Sequence, residues 1–402
     1  MRDITLNKNT IVKWKEVFIV ILFLFPFFEP LSLRYIVSSS IAPLFEYWRF
    51  FSSLLVILIY IIINKGLSKN VLYLGVFIAA YFAISLNSVR WTLLAFFTIN
   101  IAALYMFFEI MIKRKKNTVI VSMFYLLFFL VLINLICLIF HPEGIVYTKA
   151  YRTWNSSGYF NVFYDYIHFL ERDNRLINFL LPLWFSMMIC YSKGYINKRL
   201  SFLVMFAIDL TIVLVWSATS VIGGTLMTIA YISIVFFKKK VSLLKFRNTV
   251  VFLVICNVGL LCFNIQNAFS FLIENILGKS LTLTGRTVIW ESAKKMIIES
   301  PIFGYGTRQK GYIIHFSGSD WYAHNFILDI LIQGGALLLM AFIFIIYRCY
   351  KSLLIHADKY TVNIMLVAFA CWGIMGLVES FFYQYSFWVT LAILTNLKHM
   401  ES

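Results

Sequence analysis

Two residues of one polar stretch have side chains suited to transferring a chemical group. Arg286 follows Thr284-Gly285 and opens a segment of helical spacing. Unpaired backbone N–H groups and the positive end of the helix dipole favour anions there, and a guanidinium adds a fork that fits a diphosphate. The sequence leaves open an alternative in which Arg286 pairs with a carboxylate or reaches lipid headgroups.

His324 closes the same polar stretch, directly before Asn325 and an apolar segment. We expect it at the outer rim of a membrane, close to water and partly shielded. A histidine placed there can take a proton from a hydroxyl near neutral pH. The alternative is a helix cap or a simple hydrogen-bond partner. Glu379, in a short connection between the last two apolar segments, is predicted to face the same side and to reach the same cleft.

The elements that must position these residues are membrane-spanning helices. Hydrophobic residues make up 61% of the 402 residues and charged residues only 13%, whereas soluble chains are about 45–50% apolar and roughly 25% charged. The mean hydropathy is +0.84. The apolar residues also come in runs close to the ~20 residues that cross a bilayer. The sequence therefore predicts a single all-α, polytopic membrane domain over residues 1–402.

About twelve spans are expected, with the first retained because no small-residue cleavage site follows it. They are 17–33, 50–64, 71–87, 91–112, 117–140, 175–191, 200–217, 220–237, 248–265, 326–347, 361–378 and 381–397.

The distribution of basic residues orients these spans. The net charge is +17, and the basic residues are concentrated in every second connection, all on one side of the membrane, which is the pattern of cytoplasmic loops and not of a nucleic-acid surface. Both termini are then cytoplasmic, and two longer connections, 141–174 and 266–325, lie outside. Within the second, residues 288–300 form an amphipathic helix that lies on the membrane or packs on the spans, and a Pro/Gly turn ends it.

Several segments of this outer region resemble the signature of the bacterial O-antigen ligase and repeat-unit polymerase (Wzy-like) superfamily. The matching strings are Thr284-Gly-Arg286-Thr-Val-Ile-Trp290, Pro301-Ile-Phe-Gly304-Tyr-Gly306, Ala323-His-Asn-Phe-Ile-Leu-Asp329 and Gly334-Gly335. The resemblance implies a GT-C-like membrane fold and transfer of a sugar chain from an undecaprenyl-diphosphate donor to an acceptor hydroxyl. It also implies inversion at the anomeric carbon without a metal or cofactor. Arg286 would bind the diphosphate, and His324 would be the base.

One departure from the family pattern concerns the cation that would bind the diphosphate together with Arg286. Ligase-like members often carry Ser-Arg before a Gly-rich span, whereas this chain reads Trp216-Ser-Ala-Thr-Ser220 before Gly223-Gly224. The arginine is missing. The outer-side candidates that could replace it are Arg152, Arg172, Arg175 and Arg308.

The sequence thus predicts an enzyme of the bacterial cytoplasmic membrane that joins undecaprenyl-diphosphate-linked oligosaccharides into a capsular or O-antigen-like polysaccharide. The missing Ser-Arg pattern favours this polymerase over the ligase that moves finished polymer to another acceptor. A flippase or other transporter is the alternative from a different class, although its polar groups would more often lie at mid-membrane. Expected partners are the lipid-linked donor and acceptor, the bilayer and a chain-length regulator, but no nucleic acid.

Overall fold

The computed structural model describes residues 12–36, 42–86, 91–154, 160–237, 245–271, 274–275, 286–307, 314–316, 319–354 and 360–401. Its α-helices are α1 Trp14–Leu24, α2 Leu33–Ile36, α3 Ala42–Asn64, α4 Lys69–Ser85, α5 Trp91–Phe140, α6 Ile177–Ser192, α7 Lys198–Val215, α8 Ala218–Val235, α9 Phe246–Phe263, α10 Arg286–Glu299, α11 Phe326–Leu354, α12 Tyr360–Met375, α13 Tyr385–Thr395 and α14 Leu397–Glu401. Its strands are β1 Val146–Trp154, β2 Phe160–Ile167, β3 Ile314–Phe316 and β4 Ser319–Trp321.

The predicted all-α membrane class is confirmed. Among the described residues, 6 helices are long and apolar enough to cross a membrane, and the longest contains two of the predicted spans. This helix, α5, has a non-helical residue at Lys115 (φ −144°, ψ 48°), within the basic run that separates the two spans. The count of about twelve spans stays a prediction, as does the outer position of the two long connections.

A β-hairpin occupies most of the connection 141–174, which the sequence analysis treated as a polar loop. Strands β1 and β2 pair antiparallel from Val146 opposite Ile167 to Trp154 opposite Phe160, with a register shift near Tyr147. Both strands are rich in aromatic and β-branched residues, and Asn-Ser-Ser-Gly stands between them. Those features are typical of a hairpin and could have predicted it.

The described chain divides into two compact units. Unit 1 comprises Met1–Arg49 and Asn117–Tyr231, and unit 2 comprises Phe50–Lys116 and Ile232–Ser402. In unit 1, α6 is buried along nearly its whole length, because it is apolar on every side. The prediction of a single membrane domain is not tested by this division.

In unit 2, a break in α11 receives the Pro/Gly turn that follows α10. Gly335 has φ +56°, and a Cβ there would lie 2.4 Å from the carbonyl carbon of Ile302. The turn also requires a glycine, since Gly304 has φ +61° and a Cβ there would lie 2.5 Å from the carbonyl oxygen of Ile332. Only glycine tolerates both conditions without strain. Four backbone hydrogen bonds of 2.8–3.1 Å join the two segments: Tyr305 to Ile332, Gly306 to Gln333, Ala336 to Pro301 and Leu337 to Ile302.

The amphipathic helix α10 packs on the protein, which decides between the two placements left open by the sequence. Its buried residues Ile289, Trp290 and Ala293 form a cluster with Leu328 and Ile332 of α11. Burying this apolar face against a neighbouring helix is the main stabilisation available to a short amphipathic helix. Helix α10 and the start of α11 therefore form one body in unit 2.

Candidate active site

The carboxylate of Glu379 lies between Arg286 and His324. Nη2 of Arg286 is 3.3 Å from Oε2 of Glu379, and Nδ1 of His324 is 3.2 Å from Oε1. The exposed fraction of the side chain is 14% for Arg286, 23% for His324 and 5% for Glu379. The three residues that the sequence analysis singled out from separate segments therefore meet in one partly buried cluster.

The start of α11 is joined to the end of α12, and this link brings His324 to Glu379. The amide of Phe326 donates to the carbonyl of Gly376 at 2.8 Å, and Nδ2 of Asn325 donates to the carbonyl of Leu377 at 3.0 Å. Oδ1 of Asn325 accepts from an amide in the first turn of α11 and so caps that helix. Glu379 follows two residues after the second of these contacts.

His324 itself has an uncommon backbone conformation, with φ +47°. A bulky non-glycine residue adopts this left-handed region only when its surroundings enforce it, at a cost of roughly 1–3 kcal/mol. The neighbouring Ala323 shows how it is enforced, because its amide donates to Oδ1 of Asp329 at 3.1 Å and its carbonyl accepts from Nε1 of Trp290 at 2.9 Å. The carboxylate of Asp329 therefore has a structural role at this turn.

The indole of Trp290 also fixes the position of Arg286, because both residues belong to α10. Arg286 is the first residue of α10, and Trp290 lies about one turn further along, with its ring buried. Because Trp290 is hydrogen-bonded to Ala323, the residue before His324, the position of α10 depends on that of the histidine. The structure describes α10 from Arg286 onward, and Arg286 pairs with the carboxylate of Glu379, as in the alternative that the sequence left open.

Burial determines the electrostatics of this cluster. It lowers the pKa of the Arg286 guanidinium, and the negative charge of Glu379 partly offsets the effect by raising that pKa. A guanidinium stays protonated under such conditions because its unperturbed pKa is so high. Arg286 therefore stays positively charged, and among the described residues Glu379 is the carboxylate that pairs with it. In these partly buried surroundings the binding of a second anion to Arg286 is favourable.

A buried polar network supports the connection that carries Glu379. Tyr81 of α4 and Tyr383 both donate to Oε1 of Gln333, the residue before the Gly-Gly break in α11, and the two phenol oxygens are 2.8 Å apart. The sequence does not predict this network, since no local pattern links residues so far apart.

The described structure does not test the four candidates for a second cation. Arg172 precedes a short 3₁₀ turn of unit 1, Asp173–Arg175, and Arg175 is the last residue of that turn. Arg152 belongs to β1, but its side chain is outside the described part of the chain, and Arg308 lies outside it entirely. Their roles stay predictions. No group of three or more His, Cys, Asp or Glu side chains in the described residues could hold a metal ion.

Comparisons with known proteins agree with the resemblance seen in the sequence. Residues 176–343 match the family described as O-antigen ligase, a segment that includes Arg286 and His324. A protein of Rickettsia conorii (strain ATCC VR-613 / Malish 7) named "Putative polysaccharide ligase" is 24% identical over 246 residues, which cover 56% of this chain and 56% of the relative. The chain is therefore matched over little more than half of that relative's length. No solved structure matches it. The resemblance to the O-antigen ligase and polymerase superfamily, a family of membrane enzymes, is confirmed.

Proposed function

We propose that this chain, whose residues 176–343 match the O-antigen ligase family, is a repeat-unit polymerase acting on undecaprenyl-diphosphate-linked oligosaccharides. The observation that carries the proposal is the convergence of Arg286 and His324 on Glu379. A cation for the leaving diphosphate and a base for the attacking hydroxyl are the two groups that such a transfer needs, because lipid diphosphate is already a good leaving group.

In this mechanism the hydroxyl of the acceptor sugar attacks the anomeric carbon of the donor. Its oxygen forms the new glycosidic bond while the bond from that carbon to the diphosphate breaks, and the lipid diphosphate leaves with the electron pair. The hydroxyl proton passes to Nε2 of His324, and the carboxylate of Glu379 stabilises the imidazolium through Nδ1. Arg286 neutralises charge on the departing diphosphate. Attack opposite the leaving group inverts the anomeric carbon and requires no metal.

An apolar cavity beside this cluster supports a lipid-linked donor. It has a volume of about 390 Å³ and lies among α9, α11, α12 and α13. Phe326, Leu377 and Phe381 line it, and each is two residues from His324 or Glu379. A polar head at the cluster and an isoprenoid tail in this cavity would match the two halves of a polyprenyl diphosphate sugar.

The ligase reaction is the second candidate, because both comparisons name ligases. It uses the same donor chemistry and differs in the acceptor. The absence of the Ser-Arg pattern at Trp216–Ser220 is what favours the polymerase. A transporter is the third candidate, and the match to an enzyme family counts against it.

The test compares lipid-linked intermediates in cells carrying Arg286→Ala, His324→Ala or wild type. A polymerase predicts single lipid-linked repeat units accumulating outside, with long polymer lost in both variants. A ligase predicts long polymer that remains attached to the lipid carrier. Accumulation of single units on the cytoplasmic side would favour transport, and normal chain-length ladders in both variants would remove the catalytic assignment.

A further inference from the structure

A second cavity in unit 2 is surrounded by basic side chains. It has a volume of about 130 Å³ and is lined by Lys69 at the start of α4, Lys113 of α5, Arg348 of α11 and Lys398 of α14. Glu109 is the carboxylate among its lining residues. Four cations facing one carboxylate leave this cavity with an excess of positive charge.

This basic cavity lies at the opposite end of the helices from the His324 cluster. Along α11, Arg348 comes about 22 residues after Phe326, a separation close to the ~20 residues that cross a bilayer. Helix α4 runs between the same two ends: Lys69 is its first residue, and its last, Ser85, is hydrogen-bonded to Thr307 after the Pro/Gly turn. The two sites therefore belong to opposite faces of the membrane.

Arg348, one of the cations that line the cavity, is held in place before any ligand arrives. Nε and Nη2 of Arg348 donate to Oδ1 of Asn70 at 3.1 and 2.9 Å. Nδ2 of Asn70 in turn donates to the carbonyl of Thr395 and to Oδ1 of Asn396, each at 3.0 Å. Both asparagines are buried. A guanidinium fixed in this way loses little conformational entropy on binding an anion.

The carboxylate in the cavity cancels only part of the charge. Glu109 is paired with Lys113 and accepts from Oγ of Ser68 at 2.6 Å. Lys69 and Lys398 have exposed side chains, and the positive end of the 17-residue helix α4 points to the same place. An oxyanion is the ligand class that this arrangement favours.

The surroundings indicate that the oxyanion belongs to a lipid. The guanidinium of Arg348 stands 5.7 Å above the ring of Tyr73, and that ring lies 6.0 Å from the ring of Phe344. Phe344 and the nearby Leu72 are 47% and 53% exposed. The basic cavity therefore continues into an apolar surface that runs along the spanning part of α4 and α11, as a headgroup continues into acyl chains.

We propose that the basic cavity binds the phosphate of an anionic phospholipid. Arg348, Lys69 and Lys398 contact the phosphate, and the acyl chains lie along Tyr73 and Phe344. The distribution of basic residues along the chain predicts this face to be cytoplasmic, where such pockets between helices bind anionic headgroups. This site is separate from the proposed transfer reaction, and the two proposals can be tested independently.

The test measures lipid binding to the full-length protein purified in detergent. Phosphatidylglycerol, phosphatidylcholine and inorganic phosphate are each titrated while thermal unfolding and bound lipid are followed by fluorescence and native mass spectrometry. We expect phosphatidylglycerol alone to raise the melting temperature saturably. Lys69→Gln and Lys398→Gln change exposed side chains, so the fold should survive, and each should weaken this binding about fivefold. Arg348→Gln should weaken it further.

The matched control is Arg247→Gln, an exposed basic residue at the start of α9 that does not line the cavity. It should bind phosphatidylglycerol as wild type does. Equal effects of the anionic and zwitterionic lipids on the melting temperature, or an equal loss of phosphatidylglycerol binding in all four variants, would overturn the proposal. Either result would mean that the basic residues contribute only non-specific surface charge. A full effect of inorganic phosphate without lipid would also overturn it in favour of a soluble anion.

Discussion

Nδ1 of His324 lies 3.2 Å from Oε1 of Glu379, although the two residues are 55 positions apart in the chain. A carboxylate at Nδ1 favours the tautomer in which that nitrogen carries the proton and Nε2 is the basic nitrogen. The same carboxylate reaches Arg286 with its other oxygen. One side chain thus orients both the proposed base and the proposed diphosphate ligand.

The first prediction concerns Glu379, which the sequence predicts to reach the cleft of His324 as a substrate-binding candidate and which the geometry makes a positioning residue. In Glu379→Gln the amide keeps the shape but loses the charge that stabilises the imidazolium. We expect kcat to fall by about 10²-fold, within the usual range for general-base assistance. KM for the donor should stay the same or fall, because a carboxylate that competes with the diphosphate for Arg286 is gone.

Steady-state kinetics on purified protein with a lipid-linked donor separate the two roles. A rise in KM with unchanged kcat would restore the substrate-binding role of Glu379. Glu291→Gln is the control, because this exposed glutamate of α10 pairs with Lys294 and lies outside the cluster. It should leave both constants unchanged.

The second prediction uses the pKa shift of Arg286. Burial lowers the pKa of this guanidinium, and the same burial would act on an introduced lysine, whose unperturbed pKa is about 10.4 and not above 12. A cation with a lowered pKa is charged below that pKa and becomes neutral as pH rises through it. Arg286→Lys should therefore lose activity progressively at alkaline pH, while wild type retains its charge.

Activity ratios of variant to wild type between about pH 7 and 10 provide the measurement. The ratio should decline as pH rises, in addition to a constant loss from replacing the bidentate fork by a point charge. Arg247→Lys, at an exposed position, should show a flat ratio. A flat ratio for Arg286→Lys as well would mean that the position is more hydrated than the structure indicates.

The sequence predicted the parts of this site better than their assembly. The helix containing Arg286, the Pro/Gly turn and the helix after His324 each follow from local signals such as spacing, caps and glycine, and all three are present. The contact between Glu379 and His324 depends instead on hydrogen bonds between the starts and ends of different helices, as at Asn325 and Leu377. No local pattern encodes those bonds. The network of Tyr81, Gln333 and Tyr383 was missed for the same reason.

The third prediction concerns the break in α11. Gly335→Ala would place a Cβ at positive φ and within 2.4 Å of the backbone at Ile302, so the turn and the break could no longer fit together. We expect the free energy of unfolding to fall by roughly 1–3 kcal/mol. Gly75→Ala in α4 is the control, because a Cβ there meets nothing within 4 Å. It should leave stability unchanged or raise it by up to about 1 kcal/mol. Fluorescence-detected melting in detergent compares the two, and equal melting temperatures would contradict the proposed fit.

The fourth prediction tests the orientation in the membrane. In a variant lacking the six native cysteines, Ser319→Cys should react with an impermeant thiol reagent in intact spheroplasts, whereas Lys239→Cys should react only after the membrane is permeabilised. This outcome follows from the concentration of basic residues in the loops predicted to be cytoplasmic. The reverse pattern would invert the topology and place the His324 cluster inside.

The last prediction isolates the link that brings His324 to Glu379. Asn325→Asp keeps an oxygen that can cap α11, and a negative charge at a helix start is itself favourable. It removes the Nδ2 donor to the carbonyl of Leu377 and sets a carboxylate against that oxygen, so the segment carrying Glu379 should move away. We expect kcat per folded molecule to fall about tenfold, because displacements near 1 Å carry penalties of that order or larger. Asn197→Asp changes the cap of α7, which accepts from Leu200 at 2.8 Å, and should leave kcat unchanged. If Asn325→Asp lowered only the melting temperature, with kcat intact, the link would be structural and Glu379 would reach His324 without it.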